Sequence, residues 1–357
     1  MNKKIAVLSG DGIGPEVIAQ AVKVLDAVAQ KFNHTFEYTN ALAGAIAIDK
    51  TGNPMPDETL QVCLNADAIL FGAIGDPKYD NDPNAKVRPE QGLLKIRKEM
   101  GLFCNIRPVT TYDSLISKSP LKEDRIKGAD LVVYRELTGG IYFGEKGRKN
   151  DGVVAFDNCE YSVEEIERIS KLAFEAAQTR RKKLTLVDKA NVLETSRLWR
   201  DVVKKMAPSY PDVEVDFLFV DNAAMQMIVN PTQFDVILTE NMFGDIISDE
   251  ASVITGSLGL LASASIGAKT AMFEPCHGSY PQAAGKNIAN PAATILSAAM
   301  MLDYFKLFDV ASLIREAVQD SIDKGVWTVD VNPENPQSTS SVGDLITAYI
   351  SEAVVTA

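Results

Sequence analysis

The stretch IAVLSGDGIGPEVIAQAVKVLDAV, residues 5–28, decides the fold class of this chain. Residues 5–8 form a short apolar run typical of a buried strand, and Pro15 stands where a helix would begin. Apolar residues then recur at helical spacing and predict one buried stripe, made by Val17, Ile18, Ala21, Val22, Leu25 and Val28. A strand followed directly by an amphipathic helix is the repeating unit of α/β proteins, so we expect an α/β fold.

The glycines between this strand and this helix resemble a dinucleotide-binding loop at first sight. A Rossmann fingerprint needs its third glycine three residues after the second, and for Gly12 that position holds Pro15. Gly14 comes one residue too early. The loop taken alone therefore predicts a tight strand-to-helix turn rather than a Rossmann fold.

Outward from this unit, the same alternation continues to the end of the chain. Further strands are predicted at residues 36–39, 68–71, 131–134, 184–187, 213–220 and 234–239, with helices between them. Residues 162–178 read as a helix that begins with a Ser162 cap. The length of 357 residues suggests about two domains.

Composition and charge exclude several classes of partner. The chain carries 36 Lys and Arg against 48 Asp and Glu, a net charge of −12, so phosphate backbones and anionic lipid would repel it. We therefore expect no nucleic acid and no membrane partner. The longest uncharged stretch, residues 251–268, contains Ser, Thr and Gly and predicts packed helix and loop rather than a membrane span. Four widely spaced cysteines predict reduced thiols in a cytoplasmic protein.

The segment NMFGDIISDE, residues 241–250, places two carboxylates one helical turn apart. Asp245 and Asp249 would project from the same face of a helix, where like charges repel. A cation between them would remove the repulsion, and carboxylates without His or Cys neighbours favour Mg²⁺ or Mn²⁺. An exposed acidic face explains the spacing equally well.

Three other polar residues lie at points where ligands often bind. Asp221 follows the predicted strand at 213–220, although as an isolated residue it is better interpreted as a helix N-cap. Lys189 follows the strand at 184–187 and is either a catalytic base or a loop lysine. Tyr142, beyond Gly139 and Gly140, is either a proton donor or a packed aromatic side chain.

Three arginines stand out in this acidic chain: Arg97, Arg107 and Arg135. A guanidinium group binds a carboxylate through two parallel hydrogen bonds. If the fold brings them together, these arginines suit a dicarboxylic or tricarboxylic substrate.

Taken together, the motifs resemble those of the β-decarboxylating dehydrogenases, a family that acts on 3-isopropylmalate, isocitrate, homoisocitrate or tartrate. The resemblance covers almost the whole chain, in order and at compatible spacing. It is carried by GDGIGPEV at 10–17, RELTGGIYFGEKG at 135–147, VDKANVL at 187–193, NMFGDIISDEASVITGSLGL at 241–260 and EPCHGSYPQAAGKNIANPAA at 274–293.

The resemblance implies an isopropylmalate/isocitrate dehydrogenase-like fold of two α/β domains with a cleft between them. Residues 1–102 plus 256–357 would form the first, cofactor-side domain. Residues 103–255 would form the second domain, with the dimer interface and the metal-site residues. It also implies a homodimer whose active site is completed by Lys189 and Asp221 from the second subunit.

The implied reaction oxidises the C2 hydroxyl of a small dicarboxylate by hydride transfer to NAD and then removes the carboxylate β to the new ketone. Asp245, Asp249 and the second subunit's Asp221 would hold Mg²⁺ or Mn²⁺, and Asp221 would also contact the substrate. The resemblance gives Lys189 the role of general base and Tyr142 the role of the acid that protonates carbon. Arg97, Arg107 and Arg135 would clamp the substrate carboxylates.

The segment EQGLLKIRK, residues 90–98, is similar to that of family members which oxidise 3-isopropylmalate in leucine biosynthesis. Glu90, Leu93 and Leu94 would meet the branched apolar side of the substrate. Two leucines cannot pair with a third carboxylate, so we expect isocitrate to be rejected. Tartrate, D-malate and homoisocitrate remain the alternative substrates.

The resemblance also identifies an NAD loop, with two departures from the family pattern. Gln282 stands where NAD-specific members carry Asp, so charge repulsion of a 2′-phosphate is missing, and Tyr280 stands where a small Ala is common. The implied cofactor residues are Glu274, His277, Gly278, Ser279, Tyr280, Pro281, Gln282, Ala283, Ala284, Gly285, Lys286, Asn287, Ile288, Ala289 and Asn290.

Overall fold

The computed structural model describes residues 1–82 and 85–354, and these residues form two compact units. One unit combines Met1–Leu102 with the chain from Ser257 onward, and the other is Phe103–Gly256. Residues 83, 84 and 355–357, which belong to the expected first domain, lie outside the described residues.

The first unit is built from strands and helices of both ends of the chain. Its N-terminal elements are β1 (Asn2–Gly10), α1 (Gly14–Phe32), β2 (Thr35–Asn40), α2 (Ala45–Thr51), α3 (Asp57–Leu64), β3 (Ala68–Ala73), α4 (Pro77–Asp80) and α5 (Pro89–Glu99).

The second unit follows along the chain. Its elements are β4 (Leu102–Thr110), α6 (Glu123–Ile126), β5 (Asp130–Glu136), β6 (Lys146–Lys149), β7 (Val154–Asp157), α7 (Val163–Thr179), β8 (Lys183–Asp188), α8 (Glu194–Met206), β9 (Glu214–Phe219), α9 (Val220–Val229), β10 (Val236–Thr239) and α10 (Asn241–Ser252). The chain then returns to the first unit with β11 (Ala262–Gly267), β12 (Ala271–Pro275), α11 (Ala292–Tyr304), α12 (Phe308–Asp323) and α13 (Thr339–Glu352).

Parallel pairing dominates both units. In the first unit the strand order is β2-β1-β3-β12-β11, and β11 is antiparallel to β12 while the other pairs are parallel. In the second unit the order is β4-β5-β10-β8-β9, and β4 is antiparallel to β5. The carboxyl ends of β5, β8 and β10 therefore lie at one edge of their sheet, which is where ligands bind in α/β proteins.

The α/β prediction is confirmed, and so is the tight turn after β1. Pro15 lies in the first turn of α1, and Ser162 caps α7 by accepting a hydrogen bond from the Glu165 N–H. Val22 is only half-buried, because it lies at the edge of the stripe, while Val24 is fully buried in its place.

Residues 251–268 were expected to be helix and loop, and this is wrong for residues 262–267. These residues form β11, an Ala- and Ser-rich strand of low intrinsic strand preference that is stabilised by its ladder with β12. No helix within residues 1–82 and 85–354 has the length and apolar character needed to span a lipid bilayer.

Candidate active site

The two predicted carboxylates lie on α10, which starts directly after β10. The Glu240 side chain caps this helix by accepting a hydrogen bond from the Phe243 N–H at 3.3 Å. Asp245 and Asp249 are one turn apart; Asp249 is largely exposed, whereas Asp245 is about one-third exposed. The predicted helical placement of the pair is confirmed.

Within the chain, guanidinium groups compensate these two carboxylates. Arg107 Nη1 lies 2.9 Å from Asp249 Oδ1, and Arg107 Nη2 lies 3.8 Å from Asp245 Oδ1. Arg135 forms an ion pair with the same oxygen of Asp245. The fold therefore brings Arg107 and Arg135 together around the two carboxylates. Their separation along the chain did not show whether they would meet.

Arg135 is held by a residue to which sequence reasoning assigned no role. Asn241 Oδ1 accepts hydrogen bonds from Arg135 Nε at 3.2 Å and from Nη2 at 2.9 Å, and the Asn241 amide donates to the Gly139 carbonyl at 3.1 Å. Both side chains are buried, with Arg135 3% and Asn241 1% exposed. The position of Asn241 directly after a strand is the signal that could have identified it.

Arg107 is oriented in a similar way by two further residues that sequence reasoning missed. Its Nε donates to Asn105 Oδ1 at 2.8 Å, and its Nη1 donates to Ser248 Oγ at 2.8 Å. Asn105 precedes it by two residues on β4, and Ser248 lies on α10 between the two aspartates. The Arg107 guanidinium is thus held in one orientation.

Tyr142 lies beside the same cluster. Its hydroxyl donates to Asp245 Oδ2 at 3.0 Å, and its ring centroid is 5.9 Å from the Arg135 guanidinium carbon. Partial burial, followed by the charge of Asp245, raises the pKa of the Tyr142 hydroxyl. The phenol therefore keeps its proton at neutral pH and can donate it.

Lys189 and Asp221 form a second polar pair in this unit. Lys189 Nζ lies 2.8 Å from Asp221 Oδ1, and the hydrogen bond from Lys189 lowers the pKa of the Asp221 carboxyl. The N-cap interpretation of Asp221 is wrong, because Phe219 is the N-cap of α9 and Asp221 lies in its first turn. The strand predicted at 213–220 accordingly ends at Phe219, since Val220 already belongs to the helix.

No three His, Cys, Asp or Glu side chains in the described parts of the chain are grouped closely enough to hold a metal ion. Asp245 and Asp249 supply carboxylate oxygens on one helix face, which is the donor chemistry that a hard divalent cation prefers. Asp221, the third expected ligand, contacts Lys189 within its own chain.

In the first unit, α5 presents the expected substrate residues on one face. Glu90, Leu93, Leu94 and Arg97 recur at helical spacing, while the buried Gly92 and Ile96 anchor the helix. Leu94 is 40% exposed, so part of its apolar side chain is open to contact with a ligand. Arg97 Nη2 pairs with Glu274 Oε1 of β12 at 3.2 Å, so an expected substrate residue contacts an expected cofactor residue.

The expected cofactor loop follows β12 and borders a cavity of about 460 Å³, a size typical of a small-molecule site. His277 Nε2 is buried there and has no hydrogen-bond partner within residues 1–82 and 85–354. Burial lowers the pKa of His277, so its ring is neutral at pH 7 and can donate or accept one hydrogen bond. The cavity is lined by Ile13, Ser257, Leu258, Gly259, His277, Gly278, Tyr280, Ile288, Ala289, Asn290, Val329 and Asp330.

The other expected cofactor residues lie behind or beside this cavity. Ser279 is buried, Ala283 packs in a core cluster with Ile13 and Val17, and Asn287 bonds to Glu16 and Ser340. Five of them are exposed: Gln282, Ala284, Gly285, Lys286 and Asn287. The buried Nε2 of His277, which lacks a hydrogen-bond partner among the described residues, lies beside a cavity of this size and suits contact with part of a nucleotide.

Comparisons with known proteins show which family this chain resembles. The family model described as isocitrate/isopropylmalate dehydrogenase matches residues 4–346. The chain is 58% identical over 355 residues to a 3-isopropylmalate dehydrogenase of Bacteroides fragilis, covering 99% of this chain and 100% of that protein. It is 55% identical over 335 residues to the 3-isopropylmalate dehydrogenase of Aquifex aeolicus, covering 93% and 92%.

Among solved structures, the chain resembles isocitrate dehydrogenase from Methylococcus capsulatus. The TM-score is 0.88 at 34% identity, and the match covers 98% of this chain and all of that one. The fold is therefore the one expected from the motifs.

Proposed function

The chain belongs to the isocitrate/isopropylmalate dehydrogenase family, and we propose that it oxidises and decarboxylates 3-isopropylmalate to 4-methyl-2-oxopentanoate while reducing NAD, in leucine biosynthesis. The observation that carries this proposal is its identity of 55–58% to 3-isopropylmalate dehydrogenases over nearly their full length. The chain is an oxidoreductase that acts on a CH–OH group with decarboxylation.

The face of α5 supports the choice of substrate. Leu93 and the exposed Leu94 offer apolar surface to an isopropyl group, whose burial is worth about 2 kcal/mol. A third carboxylate placed there would be desolvated without a partner and strongly disfavoured. Malate and tartrate lack the apolar branch and would leave the leucines without a contact.

The arginines bind and orient the substrate carboxylates in this proposal. Arg107 and Arg135 are already fixed by Asn105, Ser248 and Asn241, so little side-chain entropy is lost when the substrate binds. Arg97 lies on α5 in the first unit and is held by its ion pair with Glu274. It binds a substrate carboxylate in this proposal.

Two residues move protons. Lys189 Nζ takes the proton of the C2 hydroxyl, and Tyr142 Oη returns a proton to carbon after CO₂ has left. The hydrogen bond from the Tyr142 hydroxyl to Asp245 Oδ2 places this proton donor beside the carboxylate cluster, which supports the role of acid. The pairing of Lys189 with Asp221 holds the amine in one position.

We assign the cofactors to two sets of residues. The loop from His277 to Asn290, part of which lines the cavity, would hold NAD together with Glu274, and NAD would supply the hydride acceptor. Asp245 and Asp249, with Asp221 of a second subunit, would hold Mg²⁺ or Mn²⁺, which would supply Lewis-acid polarisation of the substrate oxygen at C2. The exposed Gln282 does not repel a 2′-phosphate, so we expect weaker discrimination against NADP than an acidic residue would give.

A homodimer with shared active sites is the proposed assembly. Met225, Ile228 and Val229 form an exposed apolar face on α9, and Ile246 adds a further exposed apolar side chain on the neighbouring α10. A second copy covering this face would approach the helices that carry Asp221 and Asp245. The four free cysteines support a cytoplasmic location.

Replacing the proposed base tests the mechanism. We expect Lys189→Met to lower kcat on 3-isopropylmalate by roughly 10²–10⁴-fold, because a general base contributes that much. The exposed Lys205→Met is the matched control and should keep wild-type kcat. Near-wild-type turnover by Lys189→Met, with unchanged circular dichroism, would refute the assigned role.

A further inference from the structure

The turn between β1 and α1 takes no part in the proposed chemistry, yet it touches the cofactor loop directly. The N–H of Ile13 donates a hydrogen bond to the carbonyl oxygen of Ser279 at 2.8 Å. A Cβ atom on Gly12 would lie 1.9 Å from the same oxygen, well inside van der Waals contact. Any side chain at position 12 must therefore displace Ser279.

The contact is placed where it controls the shape of the cofactor loop. Ser279 is buried, and the next residue, Tyr280, has a left-handed backbone with φ of +39°. Tyr280 lines the cavity and precedes the short helical turn Pro281–Ala283. A shift of the Ser279 carbonyl would thus be passed on to the residues that border the cavity.

Asp11 holds this turn in place from the other side. Its buried carboxylate accepts hydrogen bonds from the N–H groups of Ala45 at 2.8 Å, Ile46 at 2.9 Å and Gly75 at 2.9 Å. Its own N–H donates to the Ala73 carbonyl at 2.9 Å. Because these four hydrogen bonds join Asp11 to neighbouring segments, the turn cannot easily move away from Ser279.

Ile13 links the turn to the cavity itself. Its side chain lines the cavity and packs with Val17, Ala283 and Ala289 in one core cluster. Ala283 and Ala289 both belong to the expected cofactor loop. The turn therefore contacts the loop through a backbone hydrogen bond at Ser279 and through apolar packing at two later positions.

We propose that the turn Asp11–Ile13 is a positioning element for NAD, in which Gly12 sets the close approach to Ser279 and thereby the shape of the cofactor loop. The turn makes this contribution without a glycine fingerprint of the Rossmann type. The inference rests on the proposed function, because it assumes that the loop from His277 to Asn290 binds NAD.

Two glycine substitutions separate this role from simple backbone strain. Gly12 and Gly52 both have left-handed backbones, with φ of +57° and +76°, but a Cβ on Gly52 would meet nothing within 4 Å. Gly12→Ala and Gly52→Ala should therefore carry similar strain, while only the first displaces Ser279. The dissociation constant for NAD is measured by calorimetry without substrate, alongside the melting temperature of each variant.

We expect Gly12→Ala to weaken NAD binding roughly tenfold, as for the loss of about 1.4 kcal/mol of binding free energy, while Gly52→Ala binds NAD like the wild type. With NAD saturating, kcat of Gly12→Ala should recover most of the wild-type value. Wild-type affinity of Gly12→Ala for NAD would overturn the inference. Failure of the wild-type protein to bind NAD would instead overturn the proposed function of the loop.

A second variant covers the case in which Gly12→Ala does not fold. Asp11→Asn keeps the size of the side chain but replaces one accepting oxygen with an NH₂ group, so it loosens the turn without inserting an atom. We expect weaker NAD binding than in the exposed control Asp124→Asn. A folded Asp11→Asn variant with wild-type affinity for NAD would contradict the proposed role of the turn.

Discussion

Arg135 shows how this chain prepares a cation for an anionic substrate. Asn241 binds its Nε and Nη2, and Asp245 pairs with its Nη1, so neutral and charged acceptors hold the guanidinium together. Such a group keeps its direction when a carboxylate arrives, which is the advantage of a pre-oriented planar donor.

Removing the neutral acceptor should affect substrate binding selectively. We expect Asn241→Ala to lower kcat/KM for 3-isopropylmalate roughly 10- to 100-fold, since hydrogen bonds to a charged group are worth about 1.5–3 kcal/mol. KM for NAD should stay at the wild-type value, and the exposed control Asn65→Ala should change neither constant. An equal rise of both KM values would indicate general damage to the fold instead.

At this scale the sequence predicts which residue types take part, but not how they are held. The carboxylates and arginines stand out by type and spacing, whereas Asn241 and Arg135 are 106 positions apart along the chain. Their contact depends on β5 and β10 being neighbouring parallel strands, and that pairing is a property of the folded sheet. Asp221 was misplaced for a local reason, because α9 begins two residues earlier than an N-cap at Asp221 would require.

Among the elements, α5 has the most direct bearing on specificity. Glu90, Leu93, Leu94 and Arg97 share one face, and the close approach of Gly92 to the Pro54 carbonyl fixes the helix from behind. The spacing of these residues is visible in the sequence, so this face could be predicted from helical periodicity alone.

Shortening the two leucines should reduce activity only for the branched substrate. We expect Leu93→Ala and Leu94→Ala each to lower kcat/KM for 3-isopropylmalate roughly 5- to 30-fold, because each removes about 1–2 kcal/mol of apolar contact. Turnover of D-malate, which has no isopropyl group, should stay within about twofold of the wild type. The exposed Leu64→Ala serves as the control. Equal losses on both substrates would contradict the assigned contact.

Two of the strands that the sequence did not predict, β6 and β11, have a common cause. β11 is rich in Ala and Ser, and β6 is a charged strand paired with β7 in a separate two-stranded sheet. Neither has the mixed apolar and β-branched run that identifies β1 or β8. Their extended backbone comes from pairing with a neighbour, which single-sequence patterns do not contain.

For the whole molecule, the net charge of −12 coexists with arginines gathered at the carboxylate cluster. The charge disfavours polyanionic partners, while local Arg side chains provide the attraction that a small dicarboxylate needs. Overall charge and site charge are thus set separately, and only the first can be calculated from composition.

Subunit complementation tests whether the active site is shared. Lys189→Met and Asp245→Asn should each be inactive as homodimers. After subunit exchange, each mixed dimer contains one intact site, which combines Asp245 of the Lys189→Met chain with Lys189 of the Asp245→Asn chain. About half of the dimers in a 1:1 mixture are mixed and each has one of its two sites intact, so the mixture should regain about a quarter of the wild-type rate. Mass spectrometry first shows that the subunits have exchanged. If both residues served a site in their own chain, the exchanged mixture would stay inactive.

We expect this chain to prefer a branched dicarboxylate as substrate and NAD as cofactor. The most direct measurement is kcat/KM of the purified protein, with Mg²⁺ or Mn²⁺, for 3-isopropylmalate, isocitrate, D-malate, tartrate and homoisocitrate, each with NAD and with NADP. We expect 3-isopropylmalate with NAD to exceed isocitrate by roughly 10³-fold or more, because a buried unpaired carboxylate is penalised far more than a lost apolar contact. Absence of turnover on 3-isopropylmalate, or faster turnover of another acid, would contradict the proposed function.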